Sequence, residues 1–281
     1  MLVSTNELLH EAQKGNYAVG AFNVENMEMI MAVLAAAEAK SSPVIMQTTP
    51  GTVKYAGFDY YYANVAAAAK RSHIPIAIHL DHGSSFDMAM QAYRAGYTSI
   101  MIDGSKLALE ENIALTKSVT DVCHPGSVPV EGELGRVGGK EDDMDAGDNI
   151  YTIPEEAAEF VERTKVDSLA VGIGTAHGVY KGTPKVNLAR LQEIHDVVDI
   201  PLVLHGTSGV PDEQVMCCVK SGICKVNYAT DLRIAFTKGV KHYMQDNPEA
   251  FDPKSYARTG MAEVQAYVEQ KMDMLGSSHK A

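Results

Sequence analysis

Eight short apolar runs alternate with longer amphipathic segments along the 281 residues, and this alternation predicts an α/β fold, a (β/α)8 TIM barrel. Most of the runs lack a clean apolar–polar alternation and several are rich in Val and Ile, which is typical of parallel strands buried on both faces. The length also suits one barrel, since such barrels commonly have about 250 residues. Because no linker or low-complexity stretch interrupts the pattern, we expect a single domain over residues 1–281.

The predicted strands are, in chain order, Tyr17–Phe22, Pro43–Gln47, Ile76–Leu80, Ser99–Ile102, Val128–Leu134, Ser168–Val171, Pro201–Leu204 and Ile223–Asn227. Between them, Met29–Glu38 and Glu110–Val122 carry apolar residues at helical spacing. Pro154 and Pro211 are each followed by acidic residues, which is typical of a first helical turn. Residues 243–281 exceed what eight strand–helix units require, so we expect extra C-terminal helical structure.

The structural alternative is a doubly wound open sheet, which usually carries a glycine-rich dinucleotide-binding turn after its first strand. Here Phe22-Asn23-Val24 follows the first strand and contains no such turn, so the barrel is favoured. The segment Gly135–Asn149 is the one long strand-to-helix loop rich in Gly and Asp. A loop of that length in a compact domain is usually functional, and we predict a lid that is ordered by substrate.

Composition narrows the classes of partner. The formal net charge is -12, which argues against general binding to nucleic acid or to an anionic membrane. No stretch approaches the roughly 20 apolar residues needed to span a bilayer, and the N-terminus lacks a signal-peptide pattern, so we expect a cytoplasmic protein. The four cysteines form no C-x-x-C pair and are interpreted as buried or idle thiols.

Polar residues follow several of the predicted strands, at the barrel end where active sites lie. His82, His177 and His205 all fall there, and three histidines with an open position are a common catalytic zinc set. Any one of them alone is more often a structural residue, but three at strand ends favour a metal centre. His79 lies within its strand, so we predict a position in the barrel interior or behind the metal ligands.

Glycine-containing turns accompany the histidines. Gly178, Gly206 and Gly209 leave backbone N–H groups unobstructed near the starts of helices, an arrangement that binds phosphate. Ser208 and Thr230 add hydroxyl groups. A single glycine is more often only a turn residue. Their position beside the proposed metal ligands predicts an anionic, phosphorylated substrate.

Together these motifs resemble the class II, zinc-dependent ketose-bisphosphate aldolases, and the resemblance covers the chain from Tyr17 to the tail. The motifs are Ala77-Ile78-His79-Leu80-Asp81-His82-Gly83, Val130-Glu131-Gly132-Glu133-Leu134-Gly135, Gly138-Gly139-Lys140-Glu141-Asp142-Asp143, Gly174-Thr175-Ala176-His177-Gly178, Leu204-His205-Gly206-Thr207-Ser208-Gly209 and Asn227-Tyr228-Ala229-Thr230-Asp231. Within the family the chain looks closest to the tagatose-bisphosphate branch, with the fructose-bisphosphate branch near it.

The resemblance implies reversible cleavage of D-tagatose or D-fructose 1,6-bisphosphate to dihydroxyacetone phosphate and glyceraldehyde 3-phosphate, with zinc as the Lewis acid that stabilises the enediolate. A monovalent cation is a further cofactor that the resemblance leaves open. It implies the following site residues: metal ligands His82, His177 and His205, with Glu133 as an alternative ligand; proton-transfer residues Asp81 and Glu141; and substrate-binding residues Asn23, Thr49, Gly178, Lys181, Gly206, Thr207, Ser208, Asn227, Tyr228, Ala229, Thr230, Asp231 and Arg258. Arg258 resembles an arginine that reaches a neighbouring subunit's substrate, which implies a homodimer or homotetramer.

Other functions stay open at this point. A barrel metal hydrolase would often begin with an H-x-H pair on its first strand, whereas this first strand ends in Phe22-Asn23. A catalytically silent barrel subunit is the non-enzymatic alternative, and the complete set of three histidines and Asp81 argues against it. An aldolase acting on a related phosphorylated keto sugar or keto acid also stays open, because one hydrogen bond can decide between such substrates.

Overall fold

The computed structural model describes residues 1–141, 144–145, 151–178, 180, 182 and 184–281, with the backbone alone at 140, 141, 144 and 145. The strands of this part of the chain are β1 (Val19–Asn23), β2 (Val44–Thr48), β3 (Ile76–Gly83), β4 (Ser99–Ile102), β5 (Val130–Leu134), β6 (Gly138–Glu141), β7 (Met144–Asp145), β8 (Ser168–Val171), β9 (Ala176–His177), β10 (Leu202–Leu204) and β11 (Ile223–Tyr228). The helices are α1 (Thr5–Gly15), α2 (Met27–Lys40), α3 (Pro50–Ala56), α4 (Phe58–Lys70), α5 (Phe86–Ala95), α6 (Leu109–Cys123), α7 (Pro154–Thr164), α8 (Leu188–His195), α9 (Asp212–Lys220), α10 (Thr230–Asp246) and α11 (Pro253–Leu275), with one 3-10 turn at His124–Gly126.

Eight of the strands close into a barrel in the order β1-β11-β10-β8-β5-β4-β3-β2. Every neighbouring pair in this ring is parallel. The predicted (β/α)8 barrel is therefore confirmed. β4 and β8 have the predicted bounds, and the other six barrel strands differ from prediction by a few residues at their ends.

The barrel has an apolar floor and a polar upper half. At the floor, Leu8 and Leu9 of α1 pack with Val19, Ile45 and other residues at the start of the strands. Higher up, inward-facing side chains are polar and buried, since residues two apart on a strand share a face. These upper residues are Asn23, Gln47, His79, Asp81, Glu131, Glu133, Lys225 and Asn227. The chemistry available to the protein is concentrated at this end.

The third strand is longer than predicted. It was expected to end at Leu80 but runs to Gly83, and its register against β4 shifts between Leu80 and Gly83. Such an irregularity re-aims a side chain. His82 lies within it and has a positive φ of 50°, the left-handed region that is uncommon outside glycine. The irregularity therefore gives the His82 side chain a direction that it would not have in a regular strand.

The predicted loop Gly135–Asn149 is not irregular throughout. Residues 138–141 form β6, which pairs in parallel with β9 and antiparallel with β7. This small sheet could not be predicted from the sequence. β7 and β9 have two residues each, which is too few to show an apolar–polar alternation. Residues 142–143 and 146–149 of that segment lie outside the described residues. The lid therefore stays a prediction.

Beyond the barrel, the extra C-terminal helical structure is present as predicted. The buried stripe of α11, including Val264, Val268 and Leu275, packs over the barrel beside α2 and α10. The backbone N–H of Ala18 donates to the carbonyl of Leu275 at 3.1 Å, so the end of α11 is tied to the start of β1. No helix among the described residues has the length and apolarity that crossing a membrane requires.

Candidate active site

Three histidines converge at the polar end of the barrel. His82 lies in β3, His177 in β9 and His205 directly after β10. One ring nitrogen from each falls within 4.8 Å of the others, and the His82 ring centroid lies 4.9 Å from that of His177 and 4.7 Å from that of His205. The structure therefore brings the three predicted ligands together in a group that could hold one metal ion.

Carboxylates hold the far nitrogens of two of these rings. His82 Nδ1 lies 2.9 Å from Asp103 Oδ2, and His205 Nε2 lies 2.9 Å from Glu131 Oε1. If each ring donates an N–H to its carboxylate, His82 Nε2 and His205 Nδ1 each carry a lone pair. These two nitrogen atoms face each other at a distance of 3.0 Å. Two such lone pairs repel, and a cation between them removes the repulsion. Metal-binding histidines are usually held in this way.

The charges around the cluster also favour a cation. Burial lowers the pKa of His82, but the carboxylates of Asp81, Asp103 and Glu133 outweigh burial and raise that pKa well above its usual value. Burial first, and then the charge on His82, lower the pKa of His205 well below its usual value. The surroundings therefore favour a positive charge on His82 and disfavour one on His205.

Glu133 supplies a further oxygen. Its Oε2 is buried, has no hydrogen-bond partner among the described residues, and lies 3.8 Å from His82 Nδ1 and 3.6 Å from His205 Nδ1. Burial, followed by the charge of Asp103, raises the pKa of this carboxyl group well above its usual range. A buried oxygen without a partner is costly, and a bound cation would compensate it. The donor set thus fits a metal, with Glu133 placed as an additional ligand.

Asp81 lies beside the histidines, with its two oxygens held by amides. Asn23 and Gln47 donate to Oδ2 at 2.9 and 3.1 Å, and Asn227 donates to Oδ1 at 3.1 Å. His82 Nε2 is 4.0 Å from Oδ1. These contacts fix the plane of the carboxylate in front of the cluster. Of the residues predicted to bind substrate, Asn23 is thus brought to the site chiefly through Asp81.

Asp81 is held in its charged form. Burial alone would raise its pKa, but nearby His82, His205 and Lys225, together with the hydrogen bond from Asn23, lower it below the usual value for Asp. A carboxylate that stays charged and keeps a fixed orientation is suited to accept a proton. The geometry is therefore compatible with the proton-transfer role of Asp81, which stays a prediction.

A small cavity beside His177 collects most of the residues predicted to bind phosphate. It is lined by His177, Gly178, Gly206, Thr207, Ser208, Asn227, Ala229 and Thr230. The N-terminus of α10 opens at Thr230, and Ala229 at the N-cap position provides no side-chain cap. Gly206 has a φ of 64°, and a Cβ there would lie 2.7 Å from the backbone of Ala176. Only glycine allows the loop after β10 to approach β9 so closely.

Two predicted residues of this group point elsewhere. The Tyr228 ring does not line the cavity; it lies on the outer face of β11 and stacks on Phe22 with centroids 5.7 Å apart. The Tyr228 ring thus lies outside this cavity, because alternate residues of a strand face opposite sides, and its contact with substrate stays a prediction. Asp231 donates its backbone N–H to Ser208 Oγ at 3.4 Å, while its carboxylate accepts from Tyr267 at 2.6 Å. Its backbone, rather than its charge, faces the cavity.

The remaining predicted residues are not brought to the cluster by the described part of the chain. Thr49 is buried as the N-cap of α3, where its side chain accepts from the N–H of Thr52. Arg258 is exposed on α11, and no hydrogen bond or ion pair joins it to another described residue. Lys181 lies outside the described residues, as does the side chain of Glu141.

β6 nevertheless connects the predicted loop to the centre. Gly139 pairs with His177, and a Cβ at Gly139 would lie 2.3 Å from the His177 carbonyl oxygen. Gly139 has a φ of 90°, so both space and backbone conformation require glycine. The segment that carries Glu141 is therefore paired directly with the strand that carries one of the three histidines.

Sequence reasoning missed residues that support the cluster. Asp103 follows β4 directly, so the strand-end rule applied to the other residues would have found it. Gln47 and Lys225 lie inside strands, and only the register of the barrel shows that they meet Asp81 and Glu131. Charged or amide residues within otherwise apolar strands are the signal that was available.

Comparisons with known proteins agree with this fold. A closed parallel barrel with three histidines and glycine-rich turns at one end defines an enzyme of the barrel class. Residues 3–280 match the family model described as fructose-bisphosphate aldolase class-II. The chain belongs to the class II fructose-bisphosphate aldolase family and is an aldolase, as the sequence predicted. Enzymes of this family are typically zinc-dependent.

Solved structures of aldolases resemble the chain over its whole length. The YdjI aldolase from Escherichia coli K12 is 37% identical, with a TM-score of 0.90 and coverage of 100% of both chains. The fructose-bisphosphate aldolase Fba from Campylobacter jejuni is 27% identical, with a TM-score of 0.84 and coverage of 100% of this chain and 97% of that one.

Proposed function

We propose that this aldolase reversibly cleaves a ketose 1,6-bisphosphate, D-tagatose or D-fructose 1,6-bisphosphate, to dihydroxyacetone phosphate and D-glyceraldehyde 3-phosphate. One observation carries the proposal: three convergent histidines adjoin a cavity lined by glycine turns and by the start of α10. The first element suits a metal and the second an anion. A phosphorylated substrate that must be polarised close to its phosphate requires both at this spacing.

In this proposal His82, His177 and His205 hold zinc, with Glu133 as an alternative ligand. The hydrogen bonds that Asp103 and Glu131 accept from these rings support it, because they leave His82 Nε2 and His205 Nδ1 as ligand atoms. Bound zinc supplies Lewis-acid stabilisation of the negative charge that develops next to the ketose carbonyl. The protein keeps the rings oriented and the centre largely closed to water, since His82 and His205 are buried.

The cavity beside His177 would hold the phosphate of the dihydroxyacetone phosphate half. Backbone N–H groups at Gly178 and Gly206 and at the start of α10, together with the hydroxyls of Ser208 and Thr230, offer donors without a buried cation. This arrangement suits a chain with a net charge of -12, because attraction to the anion is local. Lys181 is proposed as an additional contact to this phosphate.

Asp81 is proposed to move the proton at the C4 hydroxyl as the C3–C4 bond breaks. Its carboxylate is charged, lies beside the histidines, and is fixed by Asn23, Gln47 and Asn227. Glu141 is proposed to exchange the proton on the carbon of dihydroxyacetone phosphate. The pairing of β6 with β9 supports this second role, because Glu141 follows Gly139 by two residues on the strand beside His177.

Steady-state kinetics test the proposal directly. We expect the zinc-loaded enzyme to release triose phosphate from one or both sugar bisphosphates, and kcat/KM on each measures the preference between them. Matched measurements with the corresponding monophosphates show whether both phosphates are used. Activity on neither bisphosphate, with turnover of a phosphorylated keto acid instead, would contradict the proposed substrate while leaving the aldolase class intact.

A further inference from the structure

A fully buried lysine lies beneath the three-histidine cluster. Lys225 belongs to β11 and is 0% exposed. Its ammonium donates to Glu131 Oε2 at 2.9 Å and to His79 Nε2 at 3.4 Å. Among the described residues these are its only hydrogen-bond partners. An ammonium group is buried at high cost unless it is paired, so the pairing with Glu131 is what allows Lys225 to occupy this position.

Glu131 divides its two oxygens between two donors. Oε2 accepts from Lys225, and Oε1 accepts from His205 Nε2 at 2.9 Å. With Lys225 donating to Oε2, the other oxygen of Glu131 is left to accept from His205. Glu131 therefore fixes His205 in the tautomer with the hydrogen on Nε2. The lone pair of His205 is then on Nδ1, which faces His82.

We propose that Lys225 is a positioning residue for the metal centre, which acts through Glu131 to keep His205 Nδ1 directed at the metal. This inference rests on the proposed metal site and adds to it a residue that contacts neither metal nor substrate. Asn227, two residues further along the same inward face of β11, reaches Asp81, so Lys225 lies one layer deeper than the reacting groups. The sequence Lys225-Val226-Asn227 thus supports both halves of the site from one strand.

His79 completes the arrangement below. It accepts from Lys225 at Nε2, and its Nδ1 lies 2.8 Å from Ser99 Oγ, which also accepts from Thr5 Oγ1 at 2.8 Å. Burial and the neighbouring Lys225 charge lower the pKa of His79 well below its usual value, which fits a neutral ring. A polar column thus runs from α1 at the barrel floor to His205. The neutral ring leaves Glu131 as the one negative partner of Lys225 in this column.

The proposal is tested by zinc affinity rather than by activity. Lys225→Met removes the ammonium and leaves Oε2 of the buried Glu131 without this donor. Changes behind metal ligands typically weaken metal affinity by about 10–100-fold. We therefore expect the zinc dissociation constant, measured by competition with a chromophoric chelator, to rise by about 10–100-fold. Lys271→Met is the matched control, because Lys271 is also buried and paired with an aspartate but lies on α11. It should leave the zinc dissociation constant unchanged.

A double variant separates the positioning role from simple loss of packing. In Glu131→Gln the single amide oxygen can accept from Lys225 or from His205 but not from both, and the amide NH2 then faces the other donor, so zinc affinity should fall. In Lys225→Met with Glu131→Gln the competing ammonium is gone, and the amide oxygen can accept from His205. The double variant should therefore bind zinc more tightly than Glu131→Gln alone. Additive losses, or a double variant no better than Glu131→Gln, would overturn the proposal, and this comparison holds even if Lys225→Met does not fold.

Two further outcomes keep this inference separate from the proposed function. If His205→Ala retains stoichiometric zinc, the proposed centre is wrong and this inference falls with it. If His205→Ala loses zinc while Lys225→Met binds zinc as the unaltered protein does, only the role of Lys225 is wrong. Borohydride reduction in the presence of dihydroxyacetone phosphate should leave Lys225 unmodified. A covalent adduct on Lys225, found by mass spectrometry, would make it a catalytic residue and overturn the proposal.

Discussion

Two of the three histidines of the cluster have one nitrogen available because a carboxylate engages the other, and single residues decide this arrangement. Asp103 engages His82 and Glu131 engages His205. The consequence is that the ligand set depends on carboxylates that never touch the metal. A change at a ligand and a change behind it should therefore differ in degree: the first removes binding, and the second weakens it.

His205→Ala tests the ligand set. Removing one of three ring ligands should abolish stoichiometric zinc binding and activity together. Elemental analysis after dialysis and an aldol-cleavage assay measure the two effects. His242→Ala is the control, because His242 is exposed on α10 and paired with Asp246 at 3.7 Å. A His205→Ala protein with full zinc and normal turnover would contradict the assignment.

Asp81→Ala tests the proton-transfer role. General acid–base groups contribute roughly 10²–10⁴-fold. We expect kcat to fall by that order while zinc stays bound, since the proposed ligands are unchanged. Asp121→Ala, which removes an exposed acid paired with Lys117, should leave kcat unchanged. Near-normal kcat in Asp81→Ala would exclude the role, and loss of zinc would show instead that Asp81 supports the centre.

The sequence predicted these ligands better than it predicted their supports. His82, His177 and His205 follow strands, and the end of a parallel strand can be located from an apolar run. Glu131 and Lys225 meet only because β5 and β11 face the barrel axis at the same height, which depends on register. Register is a long-range property and leaves no mark in a five-residue run. The Tyr228 ring lies away from the cavity because the motif that contains it alternates between the two faces of β11.

At the scale of elements, the small sheet of β6, β7 and β9 is the part that the sequence did not predict. The barrel strands could be found because each is an apolar run between helices. β6 consists of Gly-Gly-Lys-Glu, which has neither apolar character nor alternation, and its pairing with β9 depends on a close approach at Gly139. Its short length and composition resemble those of a loop. It is a strand because it pairs with β9, which contains His177.

Glu141→Ala tests the function of this element. We expect slower exchange of deuterium from solvent into dihydroxyacetone phosphate, followed by mass spectrometry, with a smaller effect on KM. The physical reason is that loss of a base slows proton removal more than it weakens binding. Asp143→Ala, on the same acidic segment, is the control for charge. Unchanged exchange in Glu141→Ala would leave that segment as a solvated acidic loop.

At the scale of the whole molecule, helical structure beyond the eight strand–helix units packs against the barrel. α11 packs over α2 and α10, and Arg258 near its start projects from the surface. The cavity beside His177 accounts for one phosphate of the proposed substrate, whereas no described residue clearly accounts for the other. An arginine that binds carboxylate or phosphate through two N–H groups is suited to that role. We therefore expect Arg258 to act on a neighbouring subunit's substrate in a homodimer or homotetramer.

Subunit exchange tests this expectation. Asp81→Ala and Arg258→Ala should each be nearly inactive, and mixing them under exchange conditions should restore part of the activity. Some mixed assemblies then carry one site with both residues intact. Lys254→Ala, a change of another exposed cation on α11, should remain active by itself. If well-exchanged, folded and oligomeric mixtures show no recovery, Arg258 acts within its own subunit or not at all.

The pairing of Gly139 with His177 makes the centre and the segment around it parts of one thermodynamic linkage. Any ion that restrains His177 also restrains β9, and a restrained β9 is a better partner for β6. The coupling must be reciprocal, so order in β6 raises affinity at the histidines by the same factor. Zinc should therefore slow amide hydrogen exchange in residues 138–141, and Gly139→Ala should weaken zinc binding. In this proposal the order of β6 and the occupancy of the histidines form a single equilibrium.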